Sequence, residues 1–251
     1  MRRVRGVALA LTAAVVLAGC VHDEPSREVA DPFTVAISED AATASRAAGV
    51  DLERLAVRSA RRAFELLPHR GQIRIAIALD PARSIPEIGV GGIAHRRTGD
   101  VIVSIDGTPP GGLKAALETW VPAALAHELH HSSRIRMGPG YGITLAEALV
   151  TEGLADHFVA ETFPDTPPQP WDHALSAKQE AELWRKAQPI LDVPGGYNHQ
   201  AWFFGGGDLP RWAGYTLGYR IAEAYLGDDR SASSAVGTGA ATVIESYVRM
   251  R

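Results

Sequence analysis

Val121-Pro122-Ala123-Ala124-Leu125-Ala126-His127-Glu128-Leu129-His130-His131 is the stretch on which the reading of this chain turns. Its last five residues fit the pattern His-Glu-x-x-His. Four residues at about 100° each carry a helix just past one full turn, so His127 and His131 project from one face, one turn apart. Two imidazoles in that relation reach a single zinc ion at about 2.0–2.1 Å. Glu128 is rotated about 100° from His127, beside the metal and not on it. A carboxylate there can accept a proton from water whose pKa a bound zinc lowers to about 7. Val121, Ala124, Leu125, Ala126 and Leu129 give the segment a buried apolar flank, which a solvated, His-rich helix face would not need.

A zinc site that leaves one position for water requires a third protein ligand. Leu145-Ala146-Glu147-Ala148-Leu149-Val150-Thr151-Glu152-Gly153-Leu154-Ala155-Asp156-His157-Phe158 is strongly helical and follows His131 closely. Glu152 and Asp156 stand four apart, on one face of that helix. Glu152 can close the coordination sphere, and Asp156 can accept the other ring N–H of a ligand histidine and fix its tautomer. Gly153 costs the helix about 1 kcal/mol against Ala, which points to a close packing partner, such as a crossing of the two helices at the metal. Glu147 and Glu161 read as solvated helix surface. The expected cofactor is one zinc ion per chain.

Three segments carry a resemblance. His127-Glu128-Leu129-His130-His131, Glu152-Gly153-Leu154-Ala155-Asp156-His157 and Gly214-Tyr215-Thr216-Leu217-Gly218-Tyr219-Arg220 together resemble the DUF2268 family of predicted zinc-dependent proteases, over roughly residues 45–227. More distantly, two His on one helix and a Glu on the next are similar to gluzincin peptidases such as thermolysin, where an Asp four residues after the Glu ligand supports a zinc His. The resemblance implies metallopeptidase chemistry and a zincin-like α+β fold, with a small N-terminal mixed sheet and a mainly helical second half. In zincins an edge strand above the metal binds extended peptide by strand addition. Gly89-Val90-Gly91-Gly92-Ile93-Ala94 is the candidate, Gly91 and Gly92 letting another backbone approach; a glycine-rich bulge or turn is the other reading. Peptide hydrolysis also needs a donor for the oxyanion of the tetrahedral intermediate. Tyr215, Tyr219, Arg220 and His199 are the polar candidates, Tyr215 placed first, against simple helix packing with surface hydroxyls. His130, His157 and His173 read as non-ligands, and His95, Arg96 and Arg97 as surface.

Upstream, Asp40 to Leu67 has Ala44, Ala47, Ala48, Leu52, Leu55, Ala56, Ser59, Ala63 and Leu66 at helical spacing, one or two helices. Gln72 to Asp80 places Ile or Leu at every second position, a half-buried strand. Ile88 to His95 and Val101 to Asp106 read as two more, with Arg97-Thr98-Gly99 as a tight turn between them. Pro109-Pro110-Gly111-Gly112 breaks the pattern, and from Leu113 it is helical. Pro122 is expected in a first turn or at a kink. Further helices are expected at 144–162, 176–188, 211–226 and 240–249. Strands first and helices afterwards argue α+β, against an alternating parallel sheet.

The chain has 251 residues, 46% hydrophobic and 22% charged. That composition excludes a disordered acidic tail, a collagen-like fibre and a multi-pass membrane protein. With Cys20 as its single cysteine it can form no internal disulfide and no Cys-based zinc site. Met1 to Arg5 is basic, and Val7 to Gly19 is an apolar run too short for a stable span. The run ends Leu17-Ala18-Gly19-Cys20, which resembles the lipobox of bacterial lipoprotein signal peptides. The resemblance implies cleavage before Cys20 and lipidation of its sulfur; an ordinary secretory signal with an incidental Cys is the alternative. The expected organisation is a signal peptide over 1–19, a flexible tether over 20–33 and one metallopeptidase-like domain over 34–251. Such a protein sits in the cell envelope, held to membrane lipid and facing the periplasm or the exterior. Without Arg2, Arg3 and Arg5 the chain has 22 basic and 29 acidic side chains, a net of −7, which argues against a nucleic-acid partner. Two functions fit: a tethered zinc peptidase acting on peptides or proteins, or a zinc-binding lipoprotein that holds peptide without turnover. Glu128 favours the first, because a purely structural zinc site has no use for a general base.

Overall fold

Alternation of Ile73, Ile75 and Ile77 with Arg74 and Ala76 builds one of the two inner strands of a four-stranded sheet, its isoleucines each 1% exposed. The computed structural model describes residues 30–172 and 174–251. The leader, Cys20 and His173 lie outside the described residues. The strands are β1 (Phe33–Ile37), β2 (Ile73–Leu79), β3 (Val90–Ala94) and β4 (Val101–Ile105), in the spatial order β1-β2-β4-β3. β1 and β4 flank β2 in parallel, and β3 runs antiparallel to β4. The sheet is therefore mixed, and β3 is one of its edges.

The turn between β3 and β4 falls where the sequence places it. The His95 carbonyl accepts from Thr98 and Gly99 N–H, and Gly99 takes φ +69°, a conformation open to glycine. β1 is a strand the sequence reading did not anticipate. Its first residue, Phe33, is buried although the tether was expected to run through it, and neighbouring Asp31 pairs with Arg61 at 2.8 Å. Helices α1 (Glu39–Ala47) and α2 (Leu52–Phe64) connect β1 to β2, so one parallel crossover precedes the helical half.

That half contains α3 (Leu113–Met137), α4 (Leu145–Thr162), α5 (Ala177–Ala187), α6 (His199–Phe204), α7 (Ala213–Leu226) and α8 (Ala240–Arg249). α3 packs on α2, α4, β3 and β4. It is consequently buried almost all round from Val121 to Arg134, and α4 is buried likewise. Pro122 lies well inside α3, not in its first turn. The carbonyl it deprives of a helix donor belongs to Glu118, which is exposed. Among the described residues no helix is long and apolar enough to cross a membrane.

Two surface assignments are corrected. Glu147 forms a capping box: its Oε2 accepts from the Ile143 and Thr144 N–H groups, and its own N–H donates to the Thr144 hydroxyl. Glu161 accepts from the Ser233 N–H at 3.0 Å and tethers that loop to α4. Gly153 does mark a close crossing, but the partner is α7. A Cβ at Gly153 would overlap the Gly218 carbonyl, and one at Gly218 would overlap the Leu149 carbonyl. Two facing glycines thus let α4 and α7 touch backbone to backbone.

Candidate metal centre

The burial that makes α3 and α4 core helices also sets their polar residues face to face. His127, Glu128, His131, Glu152 and Asp156 are all buried. His127 and His131 stack edge to face, ring centroids 4.5 Å apart, and both turn Nε2 toward α4. Glu152 Oε2 lies 3.0 Å from His127 Nε2 and 3.2 Å from His131 Nε2. Ligands at about 2.0–2.1 Å on a tetrahedral ion lie about 3.3 Å from one another, so these three atoms can share one cation with little movement. His127, Glu128 and His131 also offer atoms within 4.8 Å of one another. Glu152, whose one oxygen lies within 3.2 Å of both Nε2 atoms, is the third donor that this geometry supports, and Glu128 stands beside the set.

Electrostatics favour a cation here. Burial would depress the His127 pKa, but hydrogen bonds to Asp156 and Glu152 hold it well above 6.5. Burial opposes ionisation of Glu152 as well, yet the His131 and His127 charges keep its carboxyl well below 4.5. With the imidazoles neutral, as metal binding requires, the two carboxylates leave a buried negative charge that a divalent ion neutralises. The donor set, two imidazoles and one carboxylate with a free side, is that of catalytic zinc. These residues fit the metal.

Asp156 completes the support. Its Oδ1 lies 2.9 Å from His127 Nδ1, and its Oδ2 accepts from Trp171 Nε1 at 2.9 Å. Gln169 Nε2 donates to it at 3.2 Å. With Nδ1 donating to Asp156, His127 presents Nε2 to the metal side. Glu128 is desolvated, which raises its pKa; the Ala94 backbone hydrogen-bonds its carboxyl, and among the described residues its Oε2 has no partner. The β3 backbone lies directly on it: a Cβ at Gly92 would sit 2.5 Å from Glu128 Cγ and 2.8 Å from Oε1. Gly91 has a different reason, since its Cβ position is taken by the Arg83 carbonyl of this same chain.

The remaining candidates separate cleanly. Tyr215 lines a cleft with His127, Glu128, Gly91 and Gly92, and burial followed by the Glu152 charge raises its pKa well above 10. Tyr219 instead stacks on His157 at 4.1 Å, and Arg220 pairs with Glu223 at 2.9 Å. His130 turns away from the donor set: its Nε2 faces the Ala232 carbonyl at 3.2 Å and its ring packs on Phe158. His199 borders the site through the Tyr141 ring, 6.0 Å away.

Sequence reasoning missed Tyr141, whose hydroxyl donates to Glu152 Oε1 at 2.5 Å and whose ring meets His131 edge-on. The one local signal is its position between Gly140 and Gly142, both at positive φ, just past the His-Glu-x-x-His helix. Arg96 is exposed, as surface residues are, but its guanidinium lies 4.2 Å above the Tyr141 ring. Trp171 and Gln169 reach Asp156 from a loop with no sequence pattern to betray them.

The family described as "Predicted Zn-dependent protease (DUF2268)" matches residues 113–245, which include α3, α4 and α7 whole. Two proteins of Bacillus subtilis (strain 168) are similar. The uncharacterized protein YjaZ is 29% identical over 110 residues, 42% of this chain and 42% of its own length. The uncharacterized protein YjfC is 24% identical over 157 residues, 53% of this chain and 52% of its own. The chain thus spans about half the length of the curated relatives it matches. No solved structure matches it.

Proposed function

Because the chain belongs to the DUF2268 family of predicted zinc-dependent proteases, we propose that it is a zinc peptidase tethered to a membrane surface through Cys20. His127 Nε2, His131 Nε2 and Glu152 Oε2 would hold the ion. Zinc, when bound, supplies Lewis acidity, which polarises a carbonyl and lowers the pKa of water to about 7. The observation that carries the reading is Glu128: buried, lining the cleft beside the donor set, and with no hydrogen-bond partner at Oε2 among the described residues.

The chain's own groups then divide the work. Glu128 Oε2 accepts the proton of the water that attacks the scissile carbonyl, and returns it to the amine nitrogen as the C–N bond breaks. Desolvation raises its pKa, which makes the carboxylate a stronger proton acceptor for the first step. Asp156 holds the His127 ring in one tautomer. Tyr215, kept neutral by its surroundings, can donate its O–H to the developing oxyanion. Edge strand β3 supports an extended substrate, with Gly92 laying the backbone close over Glu128. The tether rests on the Leu17-Ala18-Gly19-Cys20 box, and several acyl chains on one residue suffice for stable anchoring.

The test is turnover of a peptide library by wild type and by Glu128→Gln at matched zinc occupancy. The isosteric amide should leave zinc content and fold unchanged and lower turnover by about 10²–10⁴. Equal turnover would remove Glu128 from the role of base. No cleavage by either protein would favour a zinc-binding lipoprotein without turnover.

A further inference from the structure

The cleft beside Glu128 has a second chemistry besides the metal's. It encloses about 400 Å³, inside the range of about 300–1,000 Å³ that ligand pockets span. One wall is a face of α3, where Trp120, Ala123, Ala124 and His127 recur at helical spacing. The facing wall is aromatic. Trp171 lies 5.2 Å from Trp212 and 5.0 Å from Tyr215 between ring centroids, and Phe204 extends the array at 5.9 Å from Trp212. Ile88 is buried against the two indoles, and Ile85 and Trp120 pack on the same group. At the mouth, Ile93 is 56% exposed and Phe204 37%.

The charges are as informative as the rings. Glu128 is the one acidic residue among those lining the cleft, whereas Arg83 and Arg211 both border it. Arg211 is engaged by Glu87 at 2.9 Å and lies over the Trp212 ring at 4.4 Å. Arg83 is likewise paired, with Asp80 at 3.6 Å, so a lysine or arginine side chain entering here would lose its hydration among apolar rings and find the rim carboxylates already engaged and Glu128 reserved for catalysis. A flat apolar side chain would instead bury its surface against rings already held in place. The wall is also fixed relative to the metal side, because Trp171 Nε1 donates to the same Asp156 that holds His127.

We propose that this cleft is the specificity pocket of the peptidase site, and that it selects peptides with a large apolar residue, aromatic above aliphatic, beside the scissile bond and rejects lysine and arginine. The inference rests on the peptidase reading for the words "scissile bond", but not for the pocket itself. Its occupant is a peptide side chain because His127 and Glu128 form part of the same wall, so whatever fills the cleft abuts the reacting groups.

The experiment uses the zinc-loaded full chain and four hexapeptides differing only at one central residue: Phe, Leu, Ala or Lys. Binding to the Glu128→Gln protein is measured by the intrinsic fluorescence of the tryptophans that line the cleft, and cleavage by wild type is measured in parallel. The Phe peptide should bind roughly 10- to 100-fold tighter than the Ala peptide, with Leu between them and Lys no tighter than Ala. Ala124 is only partly buried and lines the cleft, so Ala124→Phe should fill it and erase most of that preference. Equal binding of Phe, Ala and Lys peptides would overturn the pocket, and this comparison stands even if Ala124→Phe fails to fold. Preference in binding without cleavage keeps the pocket and removes the peptidase reading. Cleavage without preference removes the pocket and keeps that reading. Neither binding nor cleavage removes both.

Discussion

Tyr141→Phe deletes one atom from the support of the metal centre. The hydroxyl donates to Glu152 Oε1, leaving Oε2 between the two histidine Nε2 atoms. The phenyl ring that remains keeps the edge contact with His131 and the stacking of Arg96, so packing is conserved. What is lost is a hydrogen bond to an ionised carboxylate, about 1.5–3 kcal/mol. No water replaces it easily, because Glu152 is 4% exposed. At about 1.4 kcal/mol per tenfold, the zinc dissociation constant should rise roughly 10- to 100-fold, the range seen when groups behind a metal ligand are removed. The assay is competition with a chromophoric zinc chelator. Tyr219→Phe is the control, since Tyr219 stacks on His157 and touches none of the donors. Equal zinc affinity in Tyr141→Phe and wild type would refute the idea that this hydroxyl orients the carboxylate. A lowered melting temperature with unchanged zinc affinity would do the same.

Three further outcomes are expected. Glu152→Ala should lose zinc on dialysis while Glu147→Ala retains it and loses only about 1 kcal/mol of stability with the bonds its carboxylate accepts from Ile143 and Thr144; equal retention by both would contradict the donor set. Gly153→Ala gains about 1 kcal/mol of helix propensity but drives a methyl into the Gly218 carbonyl. Overpacking of about 1–3 kcal/mol or more should win and lower the thermal midpoint by several degrees, and a midpoint at or above wild type would mean α4 and α7 are not in backbone contact. Cys20→Ser should release the protein from the membrane fraction and abolish a lipid mass at the mature N-terminus, and unchanged fractionation would remove the tether.

What the sequence made legible was whatever a regular period or a fixed spacing could encode. The isoleucines of β2, the turn at Arg97-Thr98-Gly99 and the spans of α4, α5, α7 and α8 follow from local pattern alone. So do the pairing of His127 with His131 and of Glu152 with Asp156, because each is a single helix turn. β1 escaped because Phe33-Thr34-Val35-Ala36-Ile37 is only five residues long and adjoins a polar stretch. α6 escaped because six residues between its Asn198 cap and Gly205 carry little periodicity. The groups that tune the site were hidden for another reason. Tyr141, Trp171 and Gln169 reach Glu152 and Asp156 from loops, and their contacts exist only once α3, α4 and the following segments have packed. Gly153 announced a close neighbour, yet no local rule could name Gly218 as that neighbour.

Zinc K-edge X-ray absorption on the purified chain loaded with one equivalent of zinc tests the central claim most directly. The account predicts a shell of nitrogen and oxygen at about 2.0–2.1 Å with the outer-ring scattering of two imidazoles. One imidazole's scattering should vanish in His131→Ala. A shell without imidazole scattering, or a spectrum unchanged by His131→Ala, would place the metal elsewhere and contradict the site built from His127, His131 and Glu152.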